Sequence, residues 1–184
     1  MVSQELLAFL VDLAAKLAGY PPIPVDALPP VQVLSEAELA KAVCPEAAAG
    51  CTNIAATFET ERYVIYLRDT LDLENAADNS FLLHELVHVL QHKARGDAIF
   101  ADCPTTLKTE TEAYQAQNAY LKREGQFLRG AGAAVVVGTA LYGNGLQLGG
   151  VGLGPGGELR HHVVDAVQIA GQPAVAGQLA QRVH

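Results

Sequence analysis

The sequence predicts an α+β fold: a short mixed sheet packed on two long helices, followed by a glycine-rich C-terminal tail. Three observations lead there. Several segments repeat apolar residues at helical spacing, and shorter runs alternate as strands do. Composition also divides the chain, because residues 1–125 hold 27 of the 32 charged residues while residues 126–184 hold 13 of the 17 glycines. The first part therefore reads as the folded domain, with a net charge of −9. The second reads as a low-charge tail of net +1 with little packed structure.

The elements follow in order. Leu6, Leu7, Leu10, Val11, Leu13, Ala14 and Leu17 place a helix over residues 3–18, which Gly19, Pro21 and Pro22 stop. A proline-rich loop runs to Pro30, and Val31 to Leu34 form a short strand. Ser35 caps the next helix, and Glu38, at the third position beyond it, completes a capping box. That helix ends near Cys44-Pro45. Ile54–Glu59 and Arg62–Arg68 read as two strands around a Glu59-Thr60-Glu61 turn. The second is apolar on much of both faces, which suits a central or covered strand. After a polar loop from Asp72 to Asn79, helices are predicted over Ser80–Ala94, ended by Gly96, and over Thr105–Arg123, stopped by Gly125.

Composition narrows the function classes. A chain of 184 residues is one domain with room for an appendage, and half of its residues are apolar, which excludes wholesale disorder. A net charge of −8 argues against nucleic acid and against an anionic membrane surface. The longest uncharged stretch, Gly130–Gly157, is too rich in glycine to favour a membrane-spanning helix. The N-terminus lacks a basic region, and Asp12 and Lys16 interrupt its apolar run, so it does not read as a signal peptide; export and cytoplasm both stay open. Of the three cysteines, Cys44 and Cys51 flank a loop short enough for a disulfide, with buried thiols the equal alternative, and Cys103 is left over. Nothing in the composition sets an oligomeric state.

The informative segment is Phe81-Leu82-Leu83-His84-Glu85-Leu86-Val87-His88-Val89-Leu90-Gln91-His92, which contains His-Glu-x-x-His. Residues four apart lie one turn apart on the same helix face, so both imidazoles can hold one ion. Glu85 sits on the edge of that face and can reach a water on the ion without being a ligand. Chance gives roughly 0.01 such matches in a chain of this His and Glu content. Leu82, Leu86, Val89 and Leu90 give the same helix an apolar face for the core.

Catalytic zinc takes three protein ligands and keeps one position open. His92 continues the line of histidines, but three ligands along a straight helix span about 12 Å, too far for one ion. His92 is therefore placed at the rim of the site or behind its ligands rather than among them. The longer pattern with a third histidine is absent, since Gln91 and Ala94 stand in its place. The next helix offers Glu110 and Glu112, which flank the face centred on Ala113, Ala116, Gln117 and Tyr120. Glu110 lies nearer the middle of that face, on the side of Gln117 and Leu121. Asp97 and Asp102 in the connection are weaker ligand candidates.

His84-Glu85-x-x-His88 with a downstream Glu110-x-x-Ala113 resembles the gluzincin-type zinc metallopeptidases, in which a glutamate from a second helix is the third ligand. The longer string from Arg62 to Phe127, with Asp102-Cys103-Pro104 and Glu112-Ala113-Tyr114-x-x-Gln117, also resembles an uncharacterised bacterial domain family related to these small zincins. The resemblance implies a small zincin-like domain over residues 1–125. It implies Zn2+ held by His84, His88 and Glu110, with Glu85 as catalytic base acting on a peptide or protein substrate. The chain departs from the larger gluzincins at Tyr114, where they carry an Asp that supports the ligand histidines. Tyr114, Tyr120, His161 and His162 are candidate donors to a developing oxyanion. The strand Arg62–Arg68, just before the metal helix, is a candidate partner for an extended substrate.

Two other classes stay open. Cys103 as a fourth ligand would close the site and make a zinc-stabilised binding module. An interaction protein acting through residues 126–184 is the third.

Overall fold

The computed structural model describes residues 2–46 and 53–125. The tail, with its uncharged stretch and His161 and His162, lies outside them, as does Cys51; Cys44 is disulfide-bonded. Among the described residues no helix is long and apolar enough to cross a membrane.

Among the described residues, four α-helices and a three-stranded mixed sheet make an α+β domain. Helix α1 spans Gln4–Ala18. The Ser3 hydroxyl accepts the Leu6 N–H at its start, and Gly19, at φ 75°, closes it in the left-handed region where a side chain would be strained. Leu7, Leu10, Val11 and Ala14 are buried at the spacing of one helix face, while Phe9 on the other side is 47% exposed. The proline-rich loop contains a 3-10 turn, Val25–Ala27, before strand β1, Val31–Leu34. Helix α2, Glu36–Val43, opens on the expected capping box between Ser35 and Glu38.

Strands β2, Ala56–Glu59, and β3, Val64–Arg68, pair antiparallel, with Phe58 opposite Ile65. The connecting turn is held by Glu59, whose two carboxylate oxygens accept the Glu61 and Arg62 amides. Tyr63 enters β3 at φ 52°, and its hydroxyl donates to the Ala27 carbonyl, tying this turn to the loop before β1. β1 pairs parallel to β3 on the other side, so the order is β1-β3-β2. This corrects the substrate-pairing role expected of Arg62–Arg68. β3 is the centre of the sheet and both its edges are already bonded, so an added strand has nothing to pair with there. The edges are β1 and β2.

Helix α3, Ala76–Arg95, starts four residues earlier than the periodicity suggests. Asn75 is its cap, accepting the Ala77 N–H, and the first turn is polar because Asp78 reaches back to the Asp72 amide. Leu82, Leu83, Leu86, Val87, Val89 and Leu90 are all buried, and so are His84, Glu85, His88 and Gln91, so α3 is buried nearly all round and runs through the middle of the domain. It packs against α1, β2 and helix α4, Cys103–Arg123. Asp102 caps α4 by accepting the Thr105 N–H, with Pro104 in the first turn, where a missing N–H costs nothing. A 3-10 turn, Gly96–Phe100, joins the two helices, and Thr109 Oγ1 donates to the Ile99 carbonyl to fix their connection.

Removing side-chain volume from the α1 face that meets α3 leaves a cavity. Leu10→Ala is expected to cost about 2–5 kcal/mol in urea unfolding, against less than about 0.5 kcal/mol for Phe9→Ala. Equal effects of the two substitutions would contradict the orientation of α1.

Candidate metal centre

The sequence places His84 and His88 one turn apart on α3, and the packing of α4 across that turn brings Glu110 between them. The two Nε2 atoms are 3.0 Å apart. Glu110 Oε2 lies 3.5 Å from His84 Nε2, and Glu110 Oε1 lies 3.5 Å from His88 Nε2. A tetrahedral ion with bonds near 2.0–2.1 Å needs ligand atoms about 3.3 Å from one another. The three side chains therefore make a donor triangle of the size a small divalent ion requires, and the group can hold a metal ion. Both imidazoles are fully buried, while the Glu110 side chain is 19% exposed and marks the side open to solvent.

The far nitrogen of each ring is held by a glutamine. His84 Nδ1 is 3.2 Å from Gln117 Oε1, and His88 Nδ1 is 2.7 Å from Gln91 Oε1. Neither amide is free to turn over. Gln91 Nε2 donates to the Thr109 carbonyl and to the Glu112 carboxylate, both of which only accept. Gln117 Nε2 donates to Ser80 Oγ, whose own proton goes to the Ala77 carbonyl. Each glutamine thus presents its oxygen to the imidazole. These two residues are the partners of the histidine pair that the sequence reading does not single out. Gln91 lies three residues after His88, and Gln117 seven after Glu110, so each shares the helix face of a candidate ligand.

Glu112, the other candidate ligand, is elsewhere. Its Oε2 accepts from the Tyr20 hydroxyl at 2.9 Å, Arg95 at 3.0 Å and Gln91 at 3.1 Å. Burial alone would push its carboxyl up, but the Tyr20 hydrogen bond, the Arg95 charge and the Gln91 amide hold it below its ordinary value. The same contact, with burial as the larger cause, raises the Tyr20 phenol.

Glu85 is fully buried, and its Oε2 accepts the Phe58 amide of β2 at 2.7 Å. His92 stays at the rim as expected, bonded to the exposed Asp97 and packed against Phe58 and Tyr63. Among the described residues neither Asp97, Asp102 nor Cys103 joins the three-ligand group; Asp102 caps α4, and Cys103 lies exposed at the helix start. The Tyr114 ring meets His84 edge-on at 4.6 Å and Phe100 lies 5.7 Å from His88, so aromatic groups flank both histidines. Tyr120 instead donates its hydroxyl to Asn79 Oδ1 in the core.

No curated protein and no solved structure matches the chain. A family model described as "Domain of unknown function (DUF6647)" matches residues 3–139, well over half of the sequence, and the chain belongs to that family.

Proposed function

We propose that the protein is a zinc-dependent metallopeptidase of gluzincin type, with His84, His88 and Glu110 as ligands and Glu85 as general base. The observation that carries the reading is the donor set: two imidazoles and one carboxylate, with no fourth protein ligand among the described residues. Such a set matches the zinc of hydrolytic sites, which keep a position for water or substrate, whereas structural zinc is closed by four protein ligands. Bound zinc would supply Lewis acidity, making water acidic enough to attack at neutral pH and polarising the scissile carbonyl.

The rest falls to the chain itself. Glu85 takes the proton of the attacking water and passes it to the leaving amine. The Phe58 N–H bond anchors one oxygen of Glu85, so its carboxylate keeps a fixed orientation beside β2. An extended peptide would lie along β2, the sheet edge that borders the site, with Tyr114, whose ring meets His84, a candidate donor to the oxyanion. The net charge of −9 on residues 1–125 disfavours strongly acidic substrates.

A second reading keeps the ion and drops the chemistry. The complete burial of His84, His88 and Glu85 also suits a zinc-stabilised binding module.

Zinc analysis tests the site that both readings share, and hydrolysis separates them. Protein purified without added metal is expected to carry about one zinc per chain by elemental analysis, lost in His84→Ala and Glu110→Ala and kept in Glu112→Ala. Zinc lost from Glu112→Ala but kept in Glu110→Ala would reverse the ligand assignment. Glu85→Gln is expected to keep its zinc and lose peptide hydrolysis by about 10²–10⁴-fold. Unchanged hydrolysis in that variant would end the general-base role, and a zinc-loaded wild type without hydrolysis would favour the binding module.

A further inference from the structure

The two glutamines have a consequence for the ion itself. A histidine that ligates through Nε2 must keep its proton on Nδ1, and the group that accepts that proton sets how basic the ligand nitrogen becomes. A carboxylate there draws the proton strongly and adds negative charge, whereas an amide does neither. Here both acceptors are amide oxygens, and their orientation is locked from behind by Ser80, Thr109 and Glu112.

We propose that Gln91 and Gln117 are positioning residues that fix both ligand histidines as Nδ1–H tautomers through uncharged acceptors. They thereby hold the ion more weakly, and leave it more electrophilic, than a carboxylate pair would. Within the ligand set only Glu110 brings a negative charge to the ion. Glu112 comes close but its charge is spent on Arg95 and Tyr20, so its effect on the centre passes through the amide it holds. The inference rests on the metal-centre reading above and not on hydrolysis.

The test is zinc affinity, measured by chelator competition on the full chain. Gln117→Glu restores the charged acceptor, and Ser80 can turn its hydroxyl to meet the new carboxylate. Gln117→Leu fills similar space with no acceptor. The expected result is opposite movement: Gln117→Glu binds zinc about tenfold or more tighter than wild type, and Gln117→Leu about 10–100-fold weaker. A role in packing alone would move both variants the same way, because both lose the donor to Ser80. Equal or unchanged affinities would overturn the proposal, and so would a wild type that binds no zinc. A second reading comes from 15N-labelled, zinc-loaded protein. Two slowly exchanging histidine Nδ1–H resonances are expected in wild type, and in Gln91→Leu the His88 resonance is lost or exchanges rapidly. Persistence of that resonance would contradict the proposal even if the Gln117 variants fail to fold. Ordered affinities without peptidase activity would leave this inference standing and remove only the hydrolytic one.

Discussion

The constraint on which the domain depends is the burial of two imidazoles one turn apart on its central helix. Polar groups taken out of water must find partners, and His84 and His88 have four ring nitrogens to satisfy at zero exposure. Two of those nitrogens meet glutamine oxygens and the other two converge with Glu110. An apolar helix would pack in this position more cheaply. The polar set persists in the core only because α4 lies across α3 at the height that brings Thr109, Glu110, Glu112 and Gln117 to the same two turns.

That placement ties the site to the outermost elements of the fold. Glu112 collects three donors, from the end of α1 through Tyr20, from the end of α3 through Arg95, and from Gln91. The amide that steadies His88 is thus itself held by a cluster joining three helices. On the opposite side, Gln117 leads through Ser80 to the first turn of α3, where Asn79 receives the buried Tyr120 hydroxyl of α4. The interface of α3 and α4 is therefore polar along the line of the ligands and apolar around it. This arrangement holds ligand geometry against rotation of either helix about its axis.

Local patterns were legible in the sequence, and contacts between elements were less so. The capping box at Ser35 and Glu38, the stop at Gly19 and the histidine pair are set by residues within one or two turns of one another, and each has its expected form. The start of α3 was missed because its first turn is polar and carries no apolar period; only Asn75 marks it. The choice between Glu110 and Glu112 is close on a helical wheel, since both flank one face; what separates them in space is that Tyr20 and Arg95 engage Glu112 while Glu110 lies beside the two histidines. The glutamine partners lay hidden for a related reason. Their spacing put them on the ligand faces, but glutamine there also suits a solvated helix, and only the docking of α4 on α3 gives each amide two fixed neighbours. The central position of β3 was foreshadowed by its apolar faces, whereas its lack of a free edge follows from β1 pairing parallel to it across a long separation in sequence.

The central claim is that His84, His88 and Glu110 together hold one ion. X-ray absorption at the zinc edge on the metal-loaded protein tests it most directly. The account predicts nitrogen and oxygen neighbours at about 2.0–2.1 Å, with outer-shell scattering from two imidazole rings and no sulfur. A sulfur neighbour at about 2.3 Å, or scattering from fewer than two imidazoles, would contradict it.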